Sequence, residues 1–388
     1  MLNFEFKNPT KIFFGKGMVE KLGKEAKKYG NKVLVCTGGG SVKKMGLFDQ
    51  VIRQLKENQI EIFELSGIEP NPKMSSVYKG IEICKKEGIE LIVAVGGGSC
   101  IDGAKAIAAG SKVEGDAWEY FLKQEDIEDA IPLAAILTLP ATGTEMNGNS
   151  VVSNWDTKEK LPIYGSAIYP VFSILDPELT FTIPQNHTVN GIIDIIIHSL
   201  EQYFTPTKEV DMQDRMTEGL VKTVMENARR ILVNPKDYDA RAAVMFCGTV
   251  ANNHWIGVGK EHDWASHMIE HELSALYDVA HGAGLSVIYP NWMKYVMEYD
   301  PSKFVTFAKN TFGITEEGKT PRQVALEGAE KMREFFTEIG GPSTLEELGI
   351  DQKDIPYMAK QAVKYGKIGG YRKLDAQDVE KILYMCCQ

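Results

Sequence analysis

Asp194 and His198 lie four residues apart in the segment Ile192-Ile193-Asp194-Ile195-Ile196-Ile197-His198, otherwise all isoleucine. On a helix this spacing puts both side chains on one face, with Cβ atoms ~5–6 Å apart. A carboxylate and an imidazole buried among isoleucines need a partner, and a metal ion satisfies both. Further on, His262, His267, His271 and His281 fall close together, in a chain with 7 histidines. His267 and His271 again share i, i+4 spacing. One Asp with two or three His is a donor set for Zn²⁺ or Fe²⁺. Spacing alone leaves open which of His267, His271 and His281 coordinate. His187 and His254 read as surface or structural. A competing reading is that His267-Met268-Ile269-Glu270-His271 is the HxxEH pattern of a zinc peptidase.

A second chemistry is suggested by glycine. Gly38-Gly39-Gly40-Ser41 and Gly96-Gly97-Gly98-Ser99 each follow a short apolar run. Glycine lets a backbone approach a phosphate closely, and a following helix turns its free amides and dipole towards the anion. Neither loop is GxGxxG, since Lys43 and Ile101 occupy the third glycine position, and neither is a P-loop. The plain alternative is two tight strand-to-helix turns. Thr138-Leu139-Pro140-Ala141-Thr142-Gly143-Thr144-Glu145 is a third candidate, a hydroxyl-rich loop after a strand.

The elements that must position these groups follow from periodicity. Runs at 32–37, 60–65, 91–95 and 131–137 read as strands, the third buried on both faces. Met74 to Lys86 reads as a helix between two of them. Strand–helix–strand order implies parallel strands with crossovers. After Pro184 long 3.6-residue periods take over, at 190–203, 213–232, 240–255, 263–276 and 321–339. The chain therefore divides into an α/β domain, 1–183, and a helical domain, 184–388, with a site expected in the cleft between two such architectures. Trp255, Trp264, Tyr164 and Phe246 are candidates to shape a substrate pocket, but read first as core aromatics.

Composition narrows the function. The 388 residues include 43 Lys+Arg and 53 Asp+Glu, a formal charge of −10 that argues against nucleic-acid binding. The 6 cysteines form no CxxC and no disulfide framework, as expected of thiols in a reducing compartment. No run is long enough to span a membrane, and the opening Met1–Lys7 lacks the layout of a secretory leader. A cytoplasmic enzyme or a binding protein fits.

Together these residues resemble the iron-containing (group III) alcohol dehydrogenases, in particular their NAD(P)H-dependent butanol dehydrogenase and aldehyde reductase branch. The resemblance runs through Pro9–Gly17, Gly38–Ser41, Gly67–Pro72, Gly96–Asp102, Leu139–Glu145, Asp194–His198 and His267–His281. It implies an N-terminal α/β dinucleotide-binding domain and an all-helical C-terminal domain, the fold shared with dehydroquinate synthase. It implies that Asp194, His198, His267 and His281 bind one divalent metal, Fe or Zn, with His271 beside it near the nicotinamide and substrate; His271 is then the candidate proton relay, the alternative being a histidine that only supports the ligands. Gly97, Gly98 and Ser99 would hold the pyrophosphate, and Asp102, Thr138, Thr142, Asn149 and Lys160 would line the cofactor site, with Asn71 near the adenosine. NAD-preferring members often carry an acid after the first strand to hold the ribose hydroxyls. Here Gly38 takes that place, within Gly38, Gly39, Gly40 and Ser41, and Ser41 with Lys43 or Lys44 can meet a 2′-phosphate, so NADP(H) is expected over NAD(H). The implied activity interconverts short-chain aldehydes and primary alcohols, and a homodimer is implied. A polyol or glycerol-type dehydrogenase of the same superfamily is the nearest alternative, and a catalytically dead binding protein a more distant one.

Overall fold

The computed structural model describes residues 1–388. Contacts gather them into two compact units. One comprises Lys7–Ile183 with Pro235–Thr249; the other comprises Met1–Phe6, Pro184–Asn234 and Val250–Gln388. Two segments therefore lie on the far side of a single cut at 183/184. Met1–Phe6 is tied into the helical unit: the Leu2 amide donates to the Gly259 carbonyl at 2.7 Å, and Phe6 packs edge-on to Trp255 at 4.9 Å between centroids. Pro235–Thr249 belongs to the α/β unit, where Met245 enters the core and Phe246 meets Phe14 at 5.9 Å.

The α/β unit is built on eight strands: β1 (Lys11–Phe14), β2 (Lys32–Thr37), β3 (Glu61–Ser66), β4 (Leu91–Gly97), β5 (Leu133–Leu139), β6 (Asn149–Asn154), β7 (Glu159–Tyr164) and β8 (Phe172–Leu175). Six form one parallel sheet in the order β1-β8-β5-β4-β2-β3, and β6 and β7 make an antiparallel hairpin. The runs expected at 32–37 and 91–95 are strands, as is most of 60–65. The run at 131–137 begins as a strand only at Leu133, beyond Pro132, which has no amide for a ladder. The short β1 and β8 and the hairpin were not legible from periodicity.

The central strands are apolar throughout because both faces are covered. In β2, Val33 and Val35 face one core, and Leu34 and Cys36 face the other. In β5, Ala134 and Ile136 likewise oppose Leu133 and Ala135. The covering helices are α1 (Leu22–Ala26), α2 (Ser41–Lys44), α3 (Leu47–Glu57), α4 (Met74–Glu87), α5 (Gly98–Gly110) and α6 (Trp118–Lys123). α5 is built of Gly, Ala and Ile and is buried on nearly every side, so small residues let it lie close against β4 and the hairpin.

The helical unit contains α7 (Gln185–Tyr203) and α8 (Asp211–Val233), then, after α9 (Tyr238–Ala251), α10 (Ala265–Tyr277), α11 (His281–Val296), α12 (Ser302–Phe312), α13 (Pro321–Glu338), α14 (Ile355–Ala362) and α15 (Ala376–Met385). α7 is the buried axis, packed against α8 and α11, which explains its isoleucines. Phe204 stacks on Phe304 at 4.3 Å, within a cluster that includes Tyr203, Trp292 and Phe307. α13 starts on a capping box between Thr320 and Gln323, with Pro321 in its first turn. No helix is long and apolar enough to cross a membrane.

Candidate metal centre and cofactor loops

The three helices α7, α10 and α11 bring one acid and several imidazoles together. Asp194 projects from the middle of α7, His267 from the first turn of α10, and His281 is the first residue of α11. Ring Nε2 atoms of His267 and His281 lie 3.8 and 3.7 Å from Asp194 Oδ1. The three donor atoms fall within 4.8 Å of one another, a spacing a single cation can bridge. His198, one turn after Asp194, places Nδ1 at 3.3 Å from the same oxygen, and its ring centroid is 4.6 Å from that of His267. It borders the three converging donors without joining that tight group. His271 is grouped instead with His281 and Glu270, its ring centroid 5.7 Å from that of His281. His262 bonds the Gly257 carbonyl at 2.9 Å, and His187 is exposed.

The chemistry of this pocket fits a divalent cation. Asp194 Oδ1, His198 Nδ1 and His267 Nε2 are fully buried and lack a hydrogen-bond partner. Buried polar atoms without partners are rare, and several converging on one point form a donor set that suits a shared cation. Burial alone would raise the Asp194 carboxyl, but the neighbouring His198, His267 and His281 hold it well below its ordinary range. Burial pushes His198 down to about 3, which keeps it neutral and able to ligate. Burial also opposes charge on His267, yet the Asp194 and Glu201 carboxylates outweigh this and raise it to about 9.

Two residues that the sequence did not single out orient the ring nitrogens. Glu201 and Glu270 are wholly buried. Glu201 Oε1 accepts from His267 Nδ1 at 3.0 Å, and Glu270 Oε2 bonds His281 Nδ1. Each glutamate fixes the tautomer that turns Nε2 towards Asp194, as in other carboxylate–histidine–metal arrangements. The signal was present but ambiguous. Glu201 lies seven residues after Asp194, two turns along the same face, and Glu270 is the acid of the HxxEH match. Here that acid serves His281, and its neighbour His271 is not in the converging set, so the peptidase geometry is not what the motif encodes.

Backbone features hold these groups in place. Trp264 has φ +62°, a costly conformation for a bulky residue. Its amide donates to Glu201 Oε2 at 2.9 Å, and its indole packs edge-on to His267 at 5.1 Å. Of the aromatics expected in the core, Trp264 alone adjoins the site; Trp255, Tyr164 and Phe246 are 44%, 47% and 55% exposed, so the core reading fails for them. Gly282 follows His281, and a Cβ there would stand 2.1 Å from the Asn190 carbonyl oxygen of α7. That contact allows α11 to start close to α7.

In the α/β unit, α5 begins at the carboxyl end of β4, and no side chain caps its N-terminus at Gly97. The glycines are demanded by close approach: a Cβ on Gly98 would lie 2.6 Å from Thr142 Oγ1, and one on Gly97 3.1 Å from Leu139. Packing alone therefore justifies the turn, and a helix start with no capping side chain is the arrangement that receives an anion. Thr142 thus abuts the turn, and Lys160 donates to Asn71 at 3.1 Å. Asp102 is less open than expected: Oδ1 accepts from Thr144 Oγ1 at 2.6 Å and Oδ2 from the Val151 amide at 3.1 Å. Gly40 adopts φ +103° before α2, and Lys43 pairs with Glu64 beside Ser66 and Thr37. Thr138, next to last in β5, is half-buried, and Asn149 opens β6 with its amide on Asn147 Oδ1 at 3.0 Å.

Comparison with known proteins shows the family. Residues 9–177 match the model for iron-containing alcohol dehydrogenase, and residues 188–386 that for the C-terminal region of the Fe-containing alcohol dehydrogenase family. The chain is 44% identical to the probable NADH-dependent butanol dehydrogenase 1 of Bacillus subtilis, covering 99% of each. It is 36% identical to the NADPH-dependent aldehyde reductase YqhD of Escherichia coli, covering 94% of each. The crystal structure of NADH-dependent butanol dehydrogenase A from Thermotoga maritima superposes with a TM-score of 0.96 at 43% identity, over 100% of this chain and 99% of that one. The chain belongs to the iron-containing alcohol dehydrogenase family. It is an oxidoreductase of the alcohol dehydrogenase and aldehyde reductase class, acting on CH–OH donors, with a metal and a nicotinamide cofactor.

Two outcomes are expected. His267, raised to about 9 in the metal-free chain, must release a proton before Nε2 can ligate. Metal affinity of the apoprotein should therefore tighten with pH, approaching about tenfold per unit between pH 7 and 9. Competition with a chromophoric chelator measures it, and a pH-independent affinity counts against His267 as ligand. Gly282→Ala should push α11 from α7 and leave the purified protein with much less than one metal per chain, measured by elemental analysis.

Proposed function

We propose that this chain interconverts short-chain aldehydes and primary alcohols, as a butanol dehydrogenase-like enzyme, with one divalent metal on Asp194, His198, His267 and His281. The observation that carries the reading is the convergence of buried, unpartnered donors on Asp194 Oδ1. When bound, the metal supplies Lewis-acid polarisation of a carbonyl oxygen, and the nicotinamide supplies the hydride. The protein's own part is positional. Glu201 and Glu270 hold two imidazoles in the ligating tautomer, and the isoleucine-rich α7 excludes water. The uncapped start of α5, at Gly97, Gly98 and Ser99, seats the pyrophosphate, with Thr138, Thr142, Asn149, Lys160 and Asn71 along the rest of the cofactor and Asp102 bracing that wall. His271, 7% exposed and beside His281, moves a proton between the product oxygen and solvent.

NADPH is the favoured cofactor in this reading. No acid stands at Gly38–Ser41 to repel a 2′-phosphate, and Lys43 is held by a surface pair with Glu64, 46% and 39% exposed, and by the face of Phe48 at 4.7 Å. Such pairs are worth ~0–1 kcal/mol and yield readily to a dianion. Several relatives are named NADH-dependent, so the cofactor ratio is the informative measurement. A cytoplasmic location is part of the same reading, supported by six cysteines that are all free. So is a homodimer, supported by the edge position of β1, whose outer side has no strand partner.

His281→Ala should keep its fold by circular dichroism yet lose metal and nearly all butanal reduction; full turnover without metal sinks the assignment. Gly38→Asp places a carboxylate where a Cβ sits 3.3 Å from the Ile68 carbonyl, a tight but tolerable fit. It should raise the KM for NADPH about tenfold relative to NADH, ~1.4 kcal/mol of repulsion. An unchanged ratio removes Gly38 from the 2′ position.

A further inference from the structure

We propose that Lys105 is a positioning residue for the cofactor: its buried ammonium locks the glycine turn that opens α5 to the chain segment joining β5 to β6, so that both present fixed donors to one ligand. The inference rests on the reading above that the Gly97–Ser99 turn seats the cofactor.

Lys105 lies in the second turn of α5 and is 0% exposed. Its Nζ donates to Thr144 Oγ1 at 2.7 Å, the Asn147 carbonyl at 2.8 Å, Asn147 Oδ1 at 3.0 Å and the Asn149 carbonyl at 2.8 Å. Three protons serve four acceptors, so the ammonium is fully engaged inside the protein. It has nothing left to offer a cofactor and acts through the residues it holds. Thr144 Oγ1 passes the link on to Asp102 Oδ1, while Asp102 Oδ2 accepts from the Val151 amide and the Asp102 carbonyl from Ser150 Oγ at 2.8 Å. One charged network thus stitches the first two turns of α5 to residues 144–151. Thr142, which abuts Gly98, lies two residues before the stitched segment, and Asn149, which opens β6, lies within it.

Packing alone does not ask for this arrangement. A methionine would fill the same space on α5 without the desolvation cost of an ammonium, and buried charges are poor stabilisers compared with apolar residues of equal volume. What a fully satisfied buried charge supplies is one geometry instead of several. The ionisable groups facing Lys105 are Asp102 on its own helix and Glu145 in the turn after β5; Lys160 on β7 bears on Asp102. Burial draws the ammonium down to about 7 against the pull of those two carboxylates. As pH rises through that value it loses its charge and one of three protons, so two remain to hold four acceptors. The lock therefore weakens with rising pH, and cofactor affinity falls with it.

The test is fluorescence titration of the full chain with NADH from pH 6 to 9. NADH is chosen because it lacks a titrating 2′-phosphate. For the native chain, Kd should rise by about threefold to tenfold across that range. Lys105→Met, checked for native circular dichroism, should start about tenfold weaker at pH 6 and stay flat, with KM for NADH raised and kcat at saturation little changed. A folded Lys105→Met with native Kd at every pH overturns the proposal. Should that variant fail to fold, Thr144→Val decides: it keeps the ammonium but cuts its link to Asp102, and an unchanged Kd overturns the proposal. Gly98→Ala separates the two readings. If it leaves Kd unchanged, the glycine turn is not the seat and this inference falls with it. If it weakens NADH while Lys105→Met does not, only the role of Lys105 falls.

Discussion

A carboxylate buried in an isoleucine helix is the constraint on which the helical unit depends. Asp194 is 3% exposed, and its ionised form in so apolar a place is sustained only by surrounding imidazoles and the cation they imply. Meeting that demand dictates where α10 and α11 begin. His267 and His281 must reach one oxygen atom from two different helices, so α10 starts at a strained Trp264 and α11 starts at His281, with Gly282 pressed against the α7 backbone. Each of these rings then needs its far nitrogen held. Two further buried carboxylates, Glu201 and Glu270, do this, and each brings hydrogen bonds of its own from Ser266 and Ser274. One acid in the wrong solvent thus accounts for a large part of the unit's polar interior.

The α/β unit solves the reverse problem. It must leave polar backbone uncovered at one spot while covering it everywhere else. Continuous apolar strands and a helix of small residues bury nearly all the backbone, and the glycine turn after β4 keeps the N-terminus of α5 free of a capping side chain. Lys105 and Asp102 supply, inside the fold, the polar bonds that keep this opening in shape. The overall charge of −10 is no obstacle to an anionic cofactor here, because the local donors are backbone amides and not the surface.

Much of this was readable in the chain. Strand runs at 32–37 and 91–95 and helices at 74–86 and 321–339 appeared because they are long or strongly patterned. β1, β8 and the β6–β7 hairpin did not, because short edge elements and mixed polar hairpins lack a clean period of two. Helix starts were displaced where a proline set the boundary, as at Pro184, which moves the start of α7 to Gln185. The exposed positions of Trp255, Tyr164 and Phe246 were misjudged because aromatic size says nothing about which face of an element meets solvent.

By itself the sequence determined the donor inventory. An Asp and a His one turn apart, further histidines at helical spacing and two triple-glycine loops are local facts, fixed by 3.6-residue geometry and by the absence of Cβ atoms. Tertiary structure decided what each donor does. Which histidines converge on Asp194, which glutamates orient them, that Asp102 is spent on Thr144 and Val151, and that Lys105 turns inward all depend on contacts between elements far apart in the chain. Those contacts are set by how apolar faces pack, and no spacing along one helix or strand encodes them.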